Sequence, residues 1–335
     1  MTDETRVREE VTEALARVRP LVTMSREGLL ITALEWDVDR VPAYETATAA
    51  GLVGDLELTE LDGGSVPAIE AATKAKPVVI FAGDTVVGGK QNRIINVTVW
   101  LPAKSVTPIP VSCLEAGRWN QGRRFETSRK VDYGLRAMMS AQLSDVALVE
   151  QEAAAAAPAH SPRRRSYAAD QGSVWHEISA KESRFGTRSP SSALHDLYAR
   201  EATDIDAIVR AFPCPAGATG IAVGIGGRLV ALELFDAAPT LAEQWPRLVE
   251  GAASAYADHR RAVAAGVVPA PGHRYPDEGA LGRMLGRAAT AMGAAVVGPS
   301  VGEGYDVRLA GTRLRGGALV VADHVVHAEL FRVEA

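Results

Sequence analysis

Two stretches of the second half, AVGIGGRLVALELF (222–235) and ALVVADHVVHAELF (318–331), align without gaps and end on the same Glu-Leu-Phe. Each sets apolar runs on either side of a two-residue turn, Gly226-Gly227 in one and Ala322-Asp323 in the other, which is the pattern of a β-hairpin. A hairpin cannot bury its apolar face alone, so a repeated one commits the chain to antiparallel sheet. VVIFAGDTVV (78–87) is a weaker third copy, with Gly83-Asp84 at its expected turn.

Helices alternate with these hairpins. Val7, Val11, Leu15 and Val18 recur at helical spacing and predict an opening helix, stopped by Pro20, that caps a sheet. GLLITALEW and LELTEL read as strands, SVPAIEAATKAK as a short helix. VWHEISAKESRFG, SPSSALHDLYAREA with Ser189 as N-cap, TDIDAIVRAF, TLAEQWPRLVEGAASAYADHRRAV and PDEGALGRMLGRAATAM all carry helix patterns, the fourth with a kink expected at Pro246. The fold class is α+β: mainly antiparallel sheet built from related hairpins, with helices packed against it.

At 335 residues the chain is long for one core, and QEAAAAAPAHSPRRRS marks a composition break. The organisation expected is an N-terminal lobe over 1–150, a flexible connector over 151–170 and a C-terminal lobe with two related hairpins over 171–335. The Arg163–Arg165 run reads as solvated linker charge.

The formal net charge is −5, with 36 basic and 41 acidic residues, so no overall basic field attracts nucleic acid. Two cysteines, Cys113 and Cys214, make no disulfide framework or zinc spacing. The charged N-terminus has no signal-like apolar region, and no apolar run approaches the ~20 residues of a membrane span, so the expectation is a cytoplasmic protein without membrane partner, metal or cofactor. GIGG (224–227) precedes a strand where a dinucleotide loop demands a helix, which removes a Rossmann site. His327 and Glu329 project to one side of a strand, with too few companions for a catalytic zinc.

The chemistry-bearing stretch is GGKQNRIINVTVWLPAKSVTPIPVSCLEAGRW, Gly88 to Trp119. An extended run from Lys90 to Leu101 puts Lys90, Asn92 and Asn96 on one face and Gln91, Arg93 and Ile95 on the other. A second strand places Val111, Cys113 and Glu115 on one face, and the short link between the two returns the chain antiparallel, so their polar ends adjoin. Lys90, Asn92, Arg93, Asn96, Glu115, Arg118 and Trp119 would then hold an anionic, hydrogen-bonding ligand. An Arg–Glu pair locking a turn is the plainer alternative. Cys113 is a candidate nucleophile, but no partner His is identifiable, and a free Cys is usually a small buried hydrophobe.

The Lys-Gln-Asn-Arg and Pro-Val-Ser-Cys-x-Glu-x-Gly-Arg-Trp runs resemble those of the bacterial ARG-and-rhodanese-phosphatase-superfamily-associated domain family. The similarity extends through VWHEISAKESRFGTRSPSSALHDLY, IGGRLVALELFD and VGEGYDVRL to VVHAELF. It implies a place in ADP-ribose or NAD metabolism, since family members neighbour ADP-ribosylglycohydrolases and phosphatase-like domains. The expected function is a ligand-binding domain or enzyme for an ADP-ribose-like or NAD-derived nucleotide. Arg93 and Arg118 would meet phosphates, Asn92 and Asn96 ribose or amide groups, Glu115 would exchange the proton, and Trp119 would stack on a base. The rival is a non-catalytic scaffold or homo-oligomerisation module whose polar motif fastens the fold.

Overall fold

In the computed structural model, which describes residues 2–36, 43–117, 122–156, 166–187 and 193–334, the chain opens on α1 (Asp3–Arg17). Thr2 accepts the Thr5 N–H at its start, and Val7, Val11, Ala14 and Leu15 form its buried stripe. β1 (Arg19–Arg26) and β2 (Leu29–Glu35) pair as a hairpin. A long excursion follows: β3 (Glu45–Thr46), α2 (Ala47–Val53), β4 (Leu56–Glu60), β5 (Ala68–Thr73), β6 (Val78–Ile80), β7 (Asp84–Gly88), β8 (Arg93–Ile95), β9 (Val99–Leu101), β10 (Val106–Cys113) and β11 (Arg124–Lys130). Four helices come next, α3 (Tyr133–Ala156), α4 (Gln171–Phe185), α5 (Leu194–Arg200) and α6 (Ala202–Ala211). The chain closes through β12 (Gly220–Ile225), β13 (Arg228–Phe235), α7 (Ala238–Ala264), α8 (Ala280–Met292), β14 (Val296–Pro299), β15 (Tyr305–Gly311), β16 (Leu314–Val321) and β17 (His324–Arg332). The class is α+β with antiparallel sheets. No helix among the described residues is long and apolar enough to cross a membrane.

The eight-stranded antiparallel sheet runs β1-β2-β12-β13-β17-β16-β15-β14. Its central hairpins, β12–β13 and β16–β17, are the repeated sequences, and they match in detail. Gly220 faces Leu234 as Gly316 faces Leu330, the ladder shifts after Val223 as it does after Leu319, and all four turn residues have positive φ. The hairpins meet along β13 and β17, where Glu233 pairs with its sequence equivalent Glu329. An approximate two-fold axis therefore passes between these two glutamates. It relates β1–β2 to β14–β15. α1 and α8 share one face of the sheet with Leu232, Leu234 and Leu330, while α7 covers the other with Phe235 and Phe331.

Strands from before residue 36 and after residue 219 share this sheet. Within the segment 151–170, residues 151–156 continue α3, and 157–165, including Arg163–Arg165, lie outside the described residues. The excursion between β2 and β12 holds a closed barrel of β10-β5-β4-β11-β7-β8 and a small sheet of β3-β6-β9.

Three local expectations give way here. The segment read as a helix after Ser65 is β5, whose Ile69, Ala71 and Thr73 are buried at every second position while β4 and β10 flank it. Pairing on both edges overrides the helical preference of its alanines. Gly83-Asp84 is a turn with positive φ at Gly83, but β6 and β7 join different sheets instead of forming a hairpin. The Ile94–Leu101 run is likewise divided, β8 entering the barrel and β9 the small sheet. The Ser189 cap lies outside the described residues, while Pro246 sits inside a continuous α7.

Candidate functional site

β8 and β10 pair antiparallel, with Arg93 opposite Cys113, so the two polar strand ends do adjoin. Alternation decides where they point. Ile95 and Val111 belong to the barrel core with Leu56 and Leu58, and two residues along the same strands come Arg93, Cys113 and Glu60. The Arg93 guanidinium donates to Gln91 Oε1 at 3.0 Å, touches the Cys113 sulfur and lies 3.5 Å from Glu60 Oε1, with both charged side chains at most 2% exposed. Glu60 Oε1 also accepts the Lys90 N–H at 2.8 Å. These groups plug one end of the barrel.

The rest of the motif ties loops to this plug. Glu115 is buried, its Oε2 accepts the Asn92 N–H at 2.6 Å, and its carbonyl accepts from Gln91 Nε2 at 2.9 Å. Asn92 Oδ1 accepts the Gly88 N–H, and Lys90 Nζ donates to the Gly63 carbonyl. Asn96 accepts from Ser112 Oγ and donates to the Tyr167 carbonyl. Gln171, in the first turn of α4, bonds both backbone groups of Cys113. Burial pushes the Cys113 thiol up from its ordinary value against the opposing pull of Arg93, the reverse of what an attacking thiolate needs. Lys90, Asn92, Arg93, Asn96, Cys113 and Glu115 are thus brought together, each with at least one protein contact, while the buried Arg93 Nε and Glu60 Oε2 have no hydrogen-bond partner among the described residues. Among them Asn92 borders a cavity of about 20 Å³, beside His195 and Tyr198. Arg118 and Trp119 lie outside the described residues.

A second polar system contains His327 and Glu329, the pair the sequence put on one side of a strand, together with partners the sequence reading did not name. On the two-fold axis Arg136 of α3 binds Glu233 through both terminal nitrogens, each at 2.7 Å, and reaches Glu329 at 2.9 Å. His327 Nε2 lies 3.3 Å from Glu233, and its Nδ1 lies 2.8 Å from Thr98 Oγ1. Beside it Lys130 and Arg247 share Asp84, at 3.1 and 3.4 Å. Burial pulls the Lys130 ammonium below its usual range, with Asp84 opposing. The partners of Arg136 lie on strands far along the chain, so no spacing rule links them. Among the described residues no cluster of three or more His, Cys, Asp or Glu side chains is placed to hold a metal ion.

A larger concavity lies elsewhere. A cleft of about 470 Å³ opens between α6, the C-terminal half of α7 and the β1–β2 turn, bordered by Arg26, Glu201, Asp204, Tyr256, Arg260 and Arg261. Glu27 and Gly28 make the turn with φ of 53° and 110°, and the Tyr256 hydroxyl donates to the Glu27 carbonyl. Arg261 pairs with Glu201 at 2.9 Å and covers the Phe185 ring at 4.4 Å, which fixes its guanidinium at the rim. Arg26 and Arg260 approach Glu27 only to 3.8 and 3.9 Å. The sequence reading did not mark this cleft: adjacent Arg260 and Arg261 border it, but the other residues around it come from segments distant in the chain.

A family model described as the ARG and Rhodanese-Phosphatase-superfamily-associated Protein domain matches residues 18–331. No curated protein and no solved structure matches the chain.

Proposed function

The chain belongs to the ARG and Rhodanese-Phosphatase-superfamily-associated Protein domain family, and from that premise we propose that it is a non-catalytic ligand-binding domain for an ADP-ribose-like or NAD-derived nucleotide. In this reading the Lys-Gln-Asn-Arg and Ser-Cys-x-Glu runs are an internal brace, and the ligand sits in the cleft of α6 and α7. The observation that carries it is the burial of Arg93, Glu60 and Cys113 against one another, with exposed side-chain fractions of at most 2% for the ion pair. A group sealed in this way has neither a substrate within reach nor a proton to exchange with one. The cleft volume is that of small-molecule sites. Arg26 and Arg260 offer forked donors to a diphosphate, Asp204 accepts from ribose hydroxyls, and the Tyr256 ring offers an apolar face to a base.

The test is a thermal-shift titration with ADP-ribose and NAD, where a ligand at one hundred times its dissociation constant stabilises the fold by ~2.7 kcal/mol. Arg260→Ala should abolish the shift, and Cys113→Ala should keep it. The opposite pattern would place the ligand at the barrel motif, and a flat response of the parent protein would leave the scaffold as the better account.

A further inference from the structure

On the face of the sheet opposite the cleft, a small pocket of about 70 Å³ is bordered by four arginines, Arg283, Arg287, Arg313 and Arg332. They come from three places: α8 supplies two, the β15–β16 turn one, and the end of β17 one. Leu229, Met284 and Leu314 form the apolar floor. Of the four, Arg283 alone makes an ion pair among the described residues, with Asp277 at 2.5 Å. Arg287, Arg313 and Arg332 make no side-chain hydrogen bond or ion pair among the described residues. A fifth guanidinium, Arg228, stands close by and pairs with Glu334 at 3.1 Å. In a chain of net charge −5 this is a local concentration of one sign.

Such an arrangement is unfavourable without a counter-charge. Partial burial, then the charges of Arg228, Arg287 and Arg313, pull the Arg332 guanidinium below its ordinary value, and Glu334 opposes them only in part. Like charges gathered round a concavity raise the free energy of the empty protein, and an anion entering it relieves the repulsion while gaining several charge-assisted hydrogen bonds.

We propose that this pocket is a binding site for a terminal phosphate group of a small molecule. The pocket is the size of one tetrahedral oxyanion and not of a nucleotide. Guanidiniums from three separate elements match the three free oxygens of a phosphate monoester, whereas a diester presents two free oxygens and a second bulky arm. The site is separate from the cleft between α6 and α7, and neither depends on the other.

The experiment is a titration of the full chain with inorganic phosphate, glycerol 3-phosphate and dimethyl phosphate at constant ionic strength, followed by thermal shift and phosphorus-31 line width. Phosphate and glycerol 3-phosphate should bind, and dimethyl phosphate should bind at least tenfold more weakly. The exposed pair Arg287→Ala and Arg313→Ala should together weaken phosphate binding by roughly tenfold or more, as loss of charge-assisted bonds requires, without lowering the melting temperature of the free protein. Arg260→Ala in the cleft should leave phosphate binding unchanged. Phosphate no more stabilising than chloride, equal binding of monoester and diester, or a double variant that binds like the parent would each overturn the proposal.

Discussion

Glu233 and Glu329 stand directly opposite each other on β13 and β17, and the one guanidinium of Arg136 binds both carboxylates. Two acids facing each other on adjacent strands repel, and both are buried. Their shared cation makes this tolerable. The barrel's excursion and the eight-stranded sheet meet here, since α3 follows β11 directly and lays Arg136 onto the axis of the sheet.

Arg136→Met should therefore cost ~3–5 kcal/mol, the penalty of leaving buried charge uncompensated, read as a fall in denaturant midpoint at pH 7. Adding Glu233→Gln and Glu329→Gln should restore much of it. Burial alone would raise the Glu233 carboxyl, but Arg136 and Lys130 outweigh it and hold the group well below the usual range. The stability from Glu233 is thus present above the ordinary carboxylate pKa and lost as pH falls through the folded-state value. In the triple variant that acid sensitivity should shrink.

Asp236 has the opposite sign. It is buried just beyond β13, accepts from the Tyr44 hydroxyl at 2.5 Å, and burial pushes it up from 3.8 to about 7 despite that bond. The folded state keeps a proton that the unfolded chain releases, so its stabilisation is full below pH 3.8 and is lost as pH rises towards 7. The loss is of order 4 kcal/mol at 1.36 kcal/mol per pKa unit. Asp236→Asn should flatten the stability profile over that window, and an unchanged slope in the variant would remove Asp236 as its source.

Phe235 and Phe331 are equivalents in the two hairpins, and both are fully buried. Phe235 packs edge-on to Phe81 at 5.1 Å, and Phe331 lies 5.3 Å beneath the Arg136 guanidinium. Phe→Ala at either position should cost ~3–5 kcal/mol in chemical denaturation. Phe331 underlies Arg136 and Phe235 packs on His327 at 4.9 Å, both partners of Glu233, so either variant should also perturb the acid profile of Glu233.

Gly220 and Gly316 test the equivalence from the backbone side. A Cβ at Gly220 would come 2.8 Å from the Glu233 carbonyl oxygen, and one at Gly316 would come 2.4 Å from that of Glu329. Neither oxygen can move without opening a ladder, so alanine at each should destabilise by ~1–3 kcal/mol, with Gly316→Ala the worse. A neutral result at both would mean that the strands spread more easily than their shared register implies.

The sequence by itself determined the elements whose cause is local. The repeated hairpins carry their own turn residues and alternation, and α1, α4 and α8 carry their own apolar stripes. Val7, Val11 and Leu15 are buried as their spacing requires. It also placed Arg93 and Cys113 at adjoining strand ends. Only the tertiary structure decided what turned on partners distant in the chain. β5 is a strand because β4 and β10 bond both its edges, and the run after Arg93 breaks because two sheets compete for it. Arg93 is buried in a closed barrel, where Glu60, on β4, meets it. The buried bridge from Arg136 to Glu233 and Glu329 joins three segments by charge complementarity in a low-dielectric core, a relation that no periodicity along the chain encodes.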